Sequence, residues 1–122
     1  MQNRALAHVA EGNLDEALAD ADKALELEQG DNSSIVDTRS YVYLKSGDYE
    51  SASVGYEDLF SRGAQSAYSL LGGGVAYANL GQPDRAGPLL TLGLEQAPLF
   101  GDPDPQLADL IAMATEAQSA LP

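Results

Sequence analysis

The sequence predicts an all-α fold, an α–α superhelix of about seven antiparallel helices. Alanine and leucine dominate the 122 residues, and β-branched residues are few, which favours helices over a sheet. Glycines recur at Gly12, Gly47 and Gly81, with spacings of 35 and 34 residues. A fixed period of this size is typical of stacked helical units.

Other columns repeat with the same period as these glycines. A small residue stands seven positions before each glycine, a ring four positions before it, and an alanine five positions after it. In chain order these columns hold Ala5, Ser40 and Gly74; His8, Tyr43 and Tyr77; and Ala17, Ala52 and Ala86. Small residues allow paired helices to approach closely, and the rings fill the space between them.

The columns divide the chain into repeats at 1–31, 33–66 and 67–100, followed by a capping helix at 104–121. Each repeat consists of two helices around its glycine, which ends the first helix in the left-handed conformation. The second helix begins after a polar residue, Asn13, Asp48 or Gln82, with acids in its first turn. Pro83 follows Gln82, at a position where its missing N–H does no harm.

The glycine run Gly72–Gly74 lies inside the first helix of the third repeat. It lacks the Gly-Lys-Ser/Thr of a phosphate-binding loop and the preceding strand of a dinucleotide fingerprint. Gly74 occupies the small-residue column. Gly72 and Gly73 lower the stability of the helix, and we expect the packed helix to tolerate this loss. The alternative is that Gly72 lets a bound segment approach the backbone.

The end of the chain departs from the regular pattern. Pro88 is expected to kink the second helix of the third repeat or to delay its start. Asp104 and Pro105 suit the beginning of the capping helix. Ala108 and Ile111 stand 34 residues after Gly74 and Tyr77. By this spacing, the capping helix corresponds to the first helix of a fourth repeat. Its apolar face comprises Leu107, Leu110, Ile111, Ala114 and Leu121.

These columns resemble the tetratricopeptide repeat, a 34-residue helix–turn–helix family of protein-interaction scaffolds. The resemblance covers residues 1 to about 98. The sequence departs from the family pattern at its tryptophan column, which holds Met1, Val36 and Leu70. It also lacks the closing proline of the first two repeats.

Composition excludes several functions. The 19 acidic and 6 basic residues give a net charge of −13, which argues against nucleic acid and membrane partners and favours a basic protein or peptide. Without cysteine, and with His8 as the single histidine, the chain predicts no metal, no cofactor and no enzymatic activity. A soluble protein is expected, in the cytoplasm or the periplasm.

The resemblance implies that the first helices line a concave groove that binds a peptide or a helix of a partner. The family's charged clamp for acidic tails is missing here, so a mixed apolar and polar groove is expected. The alternative is a structural role, as a self-associating chain or a fragment of a longer array. The predicted groove residues are Leu6, Asp37, Thr38, Tyr41, Lys45, Tyr68, Leu71, Gly72, Val75 and Asn79.

Overall fold

The computed structural model describes residues 14–27, 33–97 and 104–121. The described residues form helices and turns without a strand, and none of these helices is long and apolar enough to cross a membrane. The predicted all-α class is therefore confirmed, while the first predicted helix lies outside the described residues. The helices are α1 Leu14–Leu27, α2 Ser33–Ser46, α3 Tyr49–Ser61, α4 Ala67–Asn79, α5 Pro83–Gln96 and α6 Pro105–Ala120.

The repeat glycines end helices as the sequence predicts. Gly47 after α2 and Gly81 after α4 have φ values of 85° and 74°, in the left-handed region that favours glycine. After each, the next residue donates its N–H to the carbonyl five residues back, at 3.0 Å for Asp48 and 2.9 Å for Gln82. These bonds satisfy carbonyls that the helix ends leave free, so the two helices of a repeat turn sharply back on each other.

All three glycines of α4 have a packing reason. A Cβ on Gly72 would lie 2.2 Å from Cζ of Tyr56, and one on Gly74 would lie 2.7 Å from Cγ of Leu90. A Cβ on Gly73 would lie 3.1 Å from the Phe60 ring. The expectation that Gly72 and Gly73 are merely tolerated was wrong, because α3 fills the space that side chains there would need.

Helix α5 begins at Pro83 and continues through Pro88, so its start is not delayed. Pro88 removes one backbone hydrogen bond near the beginning of the helix. The inner side of α5 packs on α4 through Leu90, which is fully buried, while Leu92 remains 41 % exposed. Helix α5 therefore keeps an apolar side chain exposed on one side.

Helix α6 does not continue the stack in the way that α4 does. Of the two helices that precede it, α4 packs more on α3 than on α2, whereas α6 packs more on α4 than on α5. The face of α6 that is buried consists of Leu107, Leu110 and Ala114, whereas Ala108 is exposed and Ile111 only half-buried. The register equivalence with Gly74 and Tyr77 is therefore not observed. Burying two leucines removes more apolar surface from water than burying Ala108 would, which explains the rotation.

Candidate partner-binding surface

The predicted groove residues of α2 and α4 fall into two groups in the structure. Five have a side chain on one shared side of these helices, which we call the inner surface: Asp37, Tyr41, Lys45, Tyr68 and Asn79. Asp37, Lys45 and Tyr68 are half-buried, Asn79 is exposed, and Tyr41 is 5 % exposed because α6 covers it. Leu6 lies outside the described residues.

The second group is buried within the helix stack. Thr38, Leu71 and Val75 are at most 2 % exposed, and Leu71 lies against Gly93 of α5. Gly72 lies beneath the ring of Tyr56, so the expectation that it brings a bound segment close to the backbone was wrong. The resemblance placed these four in the groove, but in this arrangement they have no surface to offer a partner.

One carboxylate of α6 joins two residues of α2. The hydroxyl of Tyr41 donates a hydrogen bond to Asp109 Oδ2 at 2.6 Å, and Lys45 Nζ lies 2.9 Å from the same oxygen. Burial, and then the bond to Asp109, raises the pKa of Tyr41, so the phenol stays protonated and keeps donating. Lys45 and Asp109 both remain partly exposed, which makes their ion pair a modest contributor to stability.

A second carboxylate meets α4 at the beginning of α6. Asp104 is the N-cap of α6, and its Oδ1 accepts the N–H of Leu107 at 2.8 Å. Its Oδ2 accepts the hydroxyl of Tyr68 at 2.5 Å, and this bond is the main reason why the pKa of Tyr68 rises to about 12. Asp104 therefore starts the helix and also ties it to the inner surface.

The space between these two contacts holds polar atoms without a protein hydrogen-bond partner. They are Asp37 Oδ1 on α2, the Tyr56 hydroxyl on α3 and Gln106 Nε2 on α6. Burial raises the pKa of Asp37 to about 7; the nearby Gln106 amide lowers it and the charge of Asp104 raises it. Burial, with the charge of Asp37, also raises the pKa of Tyr56. Each buried polar group without a partner costs on the order of 1–3 kcal/mol, so this part of the α6 contact is poorly satisfied.

The opposite side of the repeats carries the ring column. The guanidinium of Arg39 lies 5.1 Å from the centre of the Tyr43 ring, and that of Arg85 lies 5.4 Å from the centre of the Tyr77 ring. The Tyr77 hydroxyl also donates to Glu57 at 2.6 Å, which joins α4 to α3. Tyr77 therefore joins α4 to both α3 and α5, whereas the contact of Arg39 with Tyr43 lies within α2.

Sequence reasoning missed Asp109, Tyr56 and Gln106, and gave Asp104 only a capping role. No spacing rule joins Asp109 to Tyr41, because the two residues are 68 positions apart. His8, the single histidine, lies outside the described residues. Within the described ranges, no group of three His, Cys, Asp or Glu side chains could hold a metal ion.

Comparison with known proteins supports the repeat assignment. A family model described as tetratricopeptide repeat matches residues 1–31, the range predicted for the first repeat, although the number of repeats stays a prediction. No curated protein and no solved structure matches the chain. Proteins of this family generally act as non-catalytic scaffolds for protein–protein interaction. The family match covers residues 1–31 and, together with the helical stack and its left-handed repeat glycines, supports a tetratricopeptide repeat protein.

Proposed function

We propose that the inner surface binds a peptide or helix of a partner protein and that the chain has no catalytic role. The family supports interaction in general, and the inner surface carries hydrogen-bond donors suited to recognition. No cofactor is required, because this role consists of binding alone. Nucleic acids and membranes are unsuitable partners for a chain with a net charge of −13.

The observation that carries this proposal is a set of three donors, from two helices, that bind carboxylates on one side of the stack. Tyr41 and Lys45 come from α2, and Tyr68 comes from α4; each donates to a carboxylate oxygen within 2.9 Å. Tyrosine gives a large and stiff contact area at a low entropy cost, which is typical of binding anchors.

The charges of the chain act on a partner both during its approach and at contact. The net charge of −13 attracts a partner whose outer surface is basic and raises the rate at which it arrives. At contact, the donors Tyr41, Lys45 and Tyr68 select carboxylate or carbonyl oxygens. A basic protein that presents acceptors on its docked face satisfies both conditions.

The experiment begins with affinity capture and mass spectrometry to identify a partner, followed by calorimetric titration of that partner. Lys45→Ala changes a half-buried donor of the inner surface and Asn79→Ala an exposed side chain, and Arg62→Ala changes a cation at the end of α3 as the matched control. We expect Lys45→Ala to weaken binding at least fivefold and Arg62→Ala to leave it unchanged. Equal affinities for all three variants would refute the location of the site.

Self-association is the second candidate, and exposed apolar side chains favour it. Val54 is 66 % exposed on α3 and Leu92 is 41 % exposed on α5, so two helices offer apolar contact to another copy. Light scattering over a hundredfold range of concentration tests this role. A constant monomer mass rules it out, whereas a mass that rises with concentration and falls in Leu92→Ser supports it.

A further inference from the structure

The inner surface already has an occupant, which is the C-terminal helix of the same chain. Helix α6 covers Tyr41 and reaches Lys45 and Tyr68, the three donors that would recognise a partner. An apolar stripe of α6, formed by Leu107, Leu110 and Ala114, joins the core on the same side. A partner segment and α6 therefore need the same atoms and cannot bind together.

Helix α6 packs on the preceding helices differently from a regular repeat helix. Because α6 packs more on α4 than on α5, it is displaced from the end of the stack toward the inner surface. Its carboxylate at Asp109 reaches past α4 to Tyr41 and Lys45 on α2. This placement is that of a ligand lying on the surface of the repeats, whereas a capping helix would cover the apolar side of α5.

The contact is also suited to release. Beside its apolar stripe, the contact depends on phenol–carboxylate bonds and one partly exposed ion pair, and water can replace these polar bonds when the helix leaves. Asp37, Tyr56 and Gln106 keep polar atoms without a protein partner while α6 is in place. Removing α6 gives water access to Asp37 and Gln106, which offsets part of the loss of apolar burial.

We propose that α6 is a releasable internal ligand of the inner surface, and that the partner is an amphipathic helix that presents the same groups. Resting on the proposed function, this inference defines the partner's docked face. It carries two carboxylates five residues apart, as at Asp104 and Asp109, with leucines at the positions of Leu107 and Leu110. Basic residues belong on its outer face, where the negative charge of the whole chain attracts them.

Hydrogen exchange on the full chain tests whether α6 is released. We expect the amides of α6 to exchange at least tenfold faster than those of α4, through an opening that leaves α4 protected. Asp109→Asn should increase exchange in α6 alone. Glu116→Gln removes an exposed carboxylate from the same helix and should change nothing. If α6 and α4 exchange at the same rate in every variant, α6 opens only when the whole chain unfolds, and the inference is wrong.

A labelled peptide of residues 104–121 tests the inner surface in trans, with binding followed by fluorescence anisotropy. The internal helix competes with it, so apparent affinity depends on the fraction of chains in which α6 is released. We expect Asp109→Asn in the protein to strengthen peptide binding at least fivefold, with Glu116→Gln equal to the original chain. The same Asp109→Asn change in the peptide should weaken binding. Absence of saturable binding to the Asp109→Asn protein, when exchange shows α6 released, would overturn the proposal.

These outcomes separate the inference from the proposed function. A partner that binds through Lys45 while α6 stays protected from exchange would support the function and disprove the release of α6. The opposite result is that α6 is released and the peptide binds tightly, while Lys45→Ala leaves the affinity of the identified partner unchanged. It would support the inference and disprove the partner site. Competition between the peptide and the partner would support both.

Discussion

Helices α5 and α6 both pack on α4, but different chemistry holds them there. The α4–α5 contact is close and apolar: a Cβ on Gly74 would lie 2.7 Å from Leu90, and a Cβ on Gly93 would lie 2.7 Å from Leu71. The α6 contact adds directional bonds from Tyr68 and Tyr41 to carboxylates, and it leaves buried polar atoms without partners.

This difference indicates which of the two contacts is permanent. Two glycines on facing helices let the backbones approach closely, and such a contact loses its dispersion energy as soon as the helices separate. A contact of phenols, carboxylates and an ammonium group exchanges its hydrogen bonds with water at a small net cost. The stack through α5 therefore forms the scaffold, and α6 is the element that we propose to be releasable.

Gly74→Ala should break the permanent contact and give the largest effect. The new methyl group would lie 2.7 Å from two side-chain carbons of Leu90 and 3.1 Å from its backbone nitrogen, so α5 must shift. Overpacking of this kind costs about 1–3 kcal/mol, more than alanine contributes as a helix former. We expect the free energy of unfolding, measured in urea, to fall by about 2 kcal/mol.

Gly87→Ala is the matched control on α5. No atom lies within 4 Å of a Cβ at this position apart from its chain neighbours, so the methyl group meets open space. The gain from alanine is offset by its clash with the ring of Pro88, which disfavours a helical residue before proline. A change within about 0.5 kcal/mol is expected. A loss equal to that of Gly74→Ala would mean that close packing does not explain the glycines of this contact.

Asp37→Asn examines the poorly satisfied part of the α6 contact through its dependence on pH. The pKa of Asp37 is raised from 3.8 to about 7, so between these values the folded chain binds a proton that the unfolded chain has lost. Stability therefore falls as the pH rises from 4 to 7, and the full penalty is present above pH 7. Asn cannot ionise, so we expect the variant to be more stable at pH 8 by about 1–2 kcal/mol.

The measurement for Asp37→Asn is urea unfolding at pH 4, 6 and 8. The gain should shrink towards pH 4, where Asp37 is protonated in the folded original chain. The groups that face Asp37 are Tyr56 from α3, Tyr68 from α4, and Asp104 and Gln106 from α6. Glu116→Gln makes the same chemical change at an exposed site and should show no such trend. A gain in stability that does not depend on pH would show that the ionisation of Asp37 is not its cause.

The fold was predictable where the evidence is local and periodic. The columns at Gly47 and Gly81 identify helix ends, because a glycine that must adopt positive φ recurs once per repeat. The reason for Gly72 and Gly73 was not predictable, since their neighbours, Tyr56 and Phe60, are brought to them only by tertiary packing. A helical face in the sequence indicates which residues turn inward together and leaves open which helix they meet.

The candidate site was predictable only in part for a related reason. Asp37, Tyr41 and Lys45 follow from helical spacing, because one helix presents them on one side. The covering of Tyr41 does not follow, because the 34-residue register assumes that α6 stacks as α4 does. The 34-residue spacing does not show that burying Leu107 removes more apolar surface from water than burying Ala108. This difference in buried apolar surface rotates α6 onto the inner surface.

Tyr41→Phe removes one hydrogen bond between α6 and the inner surface and leaves the ring in place. The hydroxyl loses its bond to Asp109, so α6 should be held more weakly by about 1 kcal/mol. Exchange at the amides of α6 should rise about fivefold, while that of α4 stays constant. A double-mutant cycle with Asp109→Asn isolates the bond, and additive effects would show that the two side chains do not act together.

Lys45→Met is expected to have the smallest effect and to depend most on salt. Lys45 Nζ and Asp109 Oδ2 are 2.9 Å apart and both side chains are 31 % exposed, so their attraction is worth about 0.5 kcal/mol and is screened by ions. Arg62→Met is the matched control, since Arg62 lies 3.0 Å from Asp58 in a pair of similar exposure at the end of α3. At low salt Lys45→Met should speed exchange in α6 about twofold, whereas Arg62→Met should affect α3 alone. In 1 M salt the first difference should vanish, because the ion pair contributes only while its charges attract; a difference that survives would assign the role of Lys45 to its apolar stem.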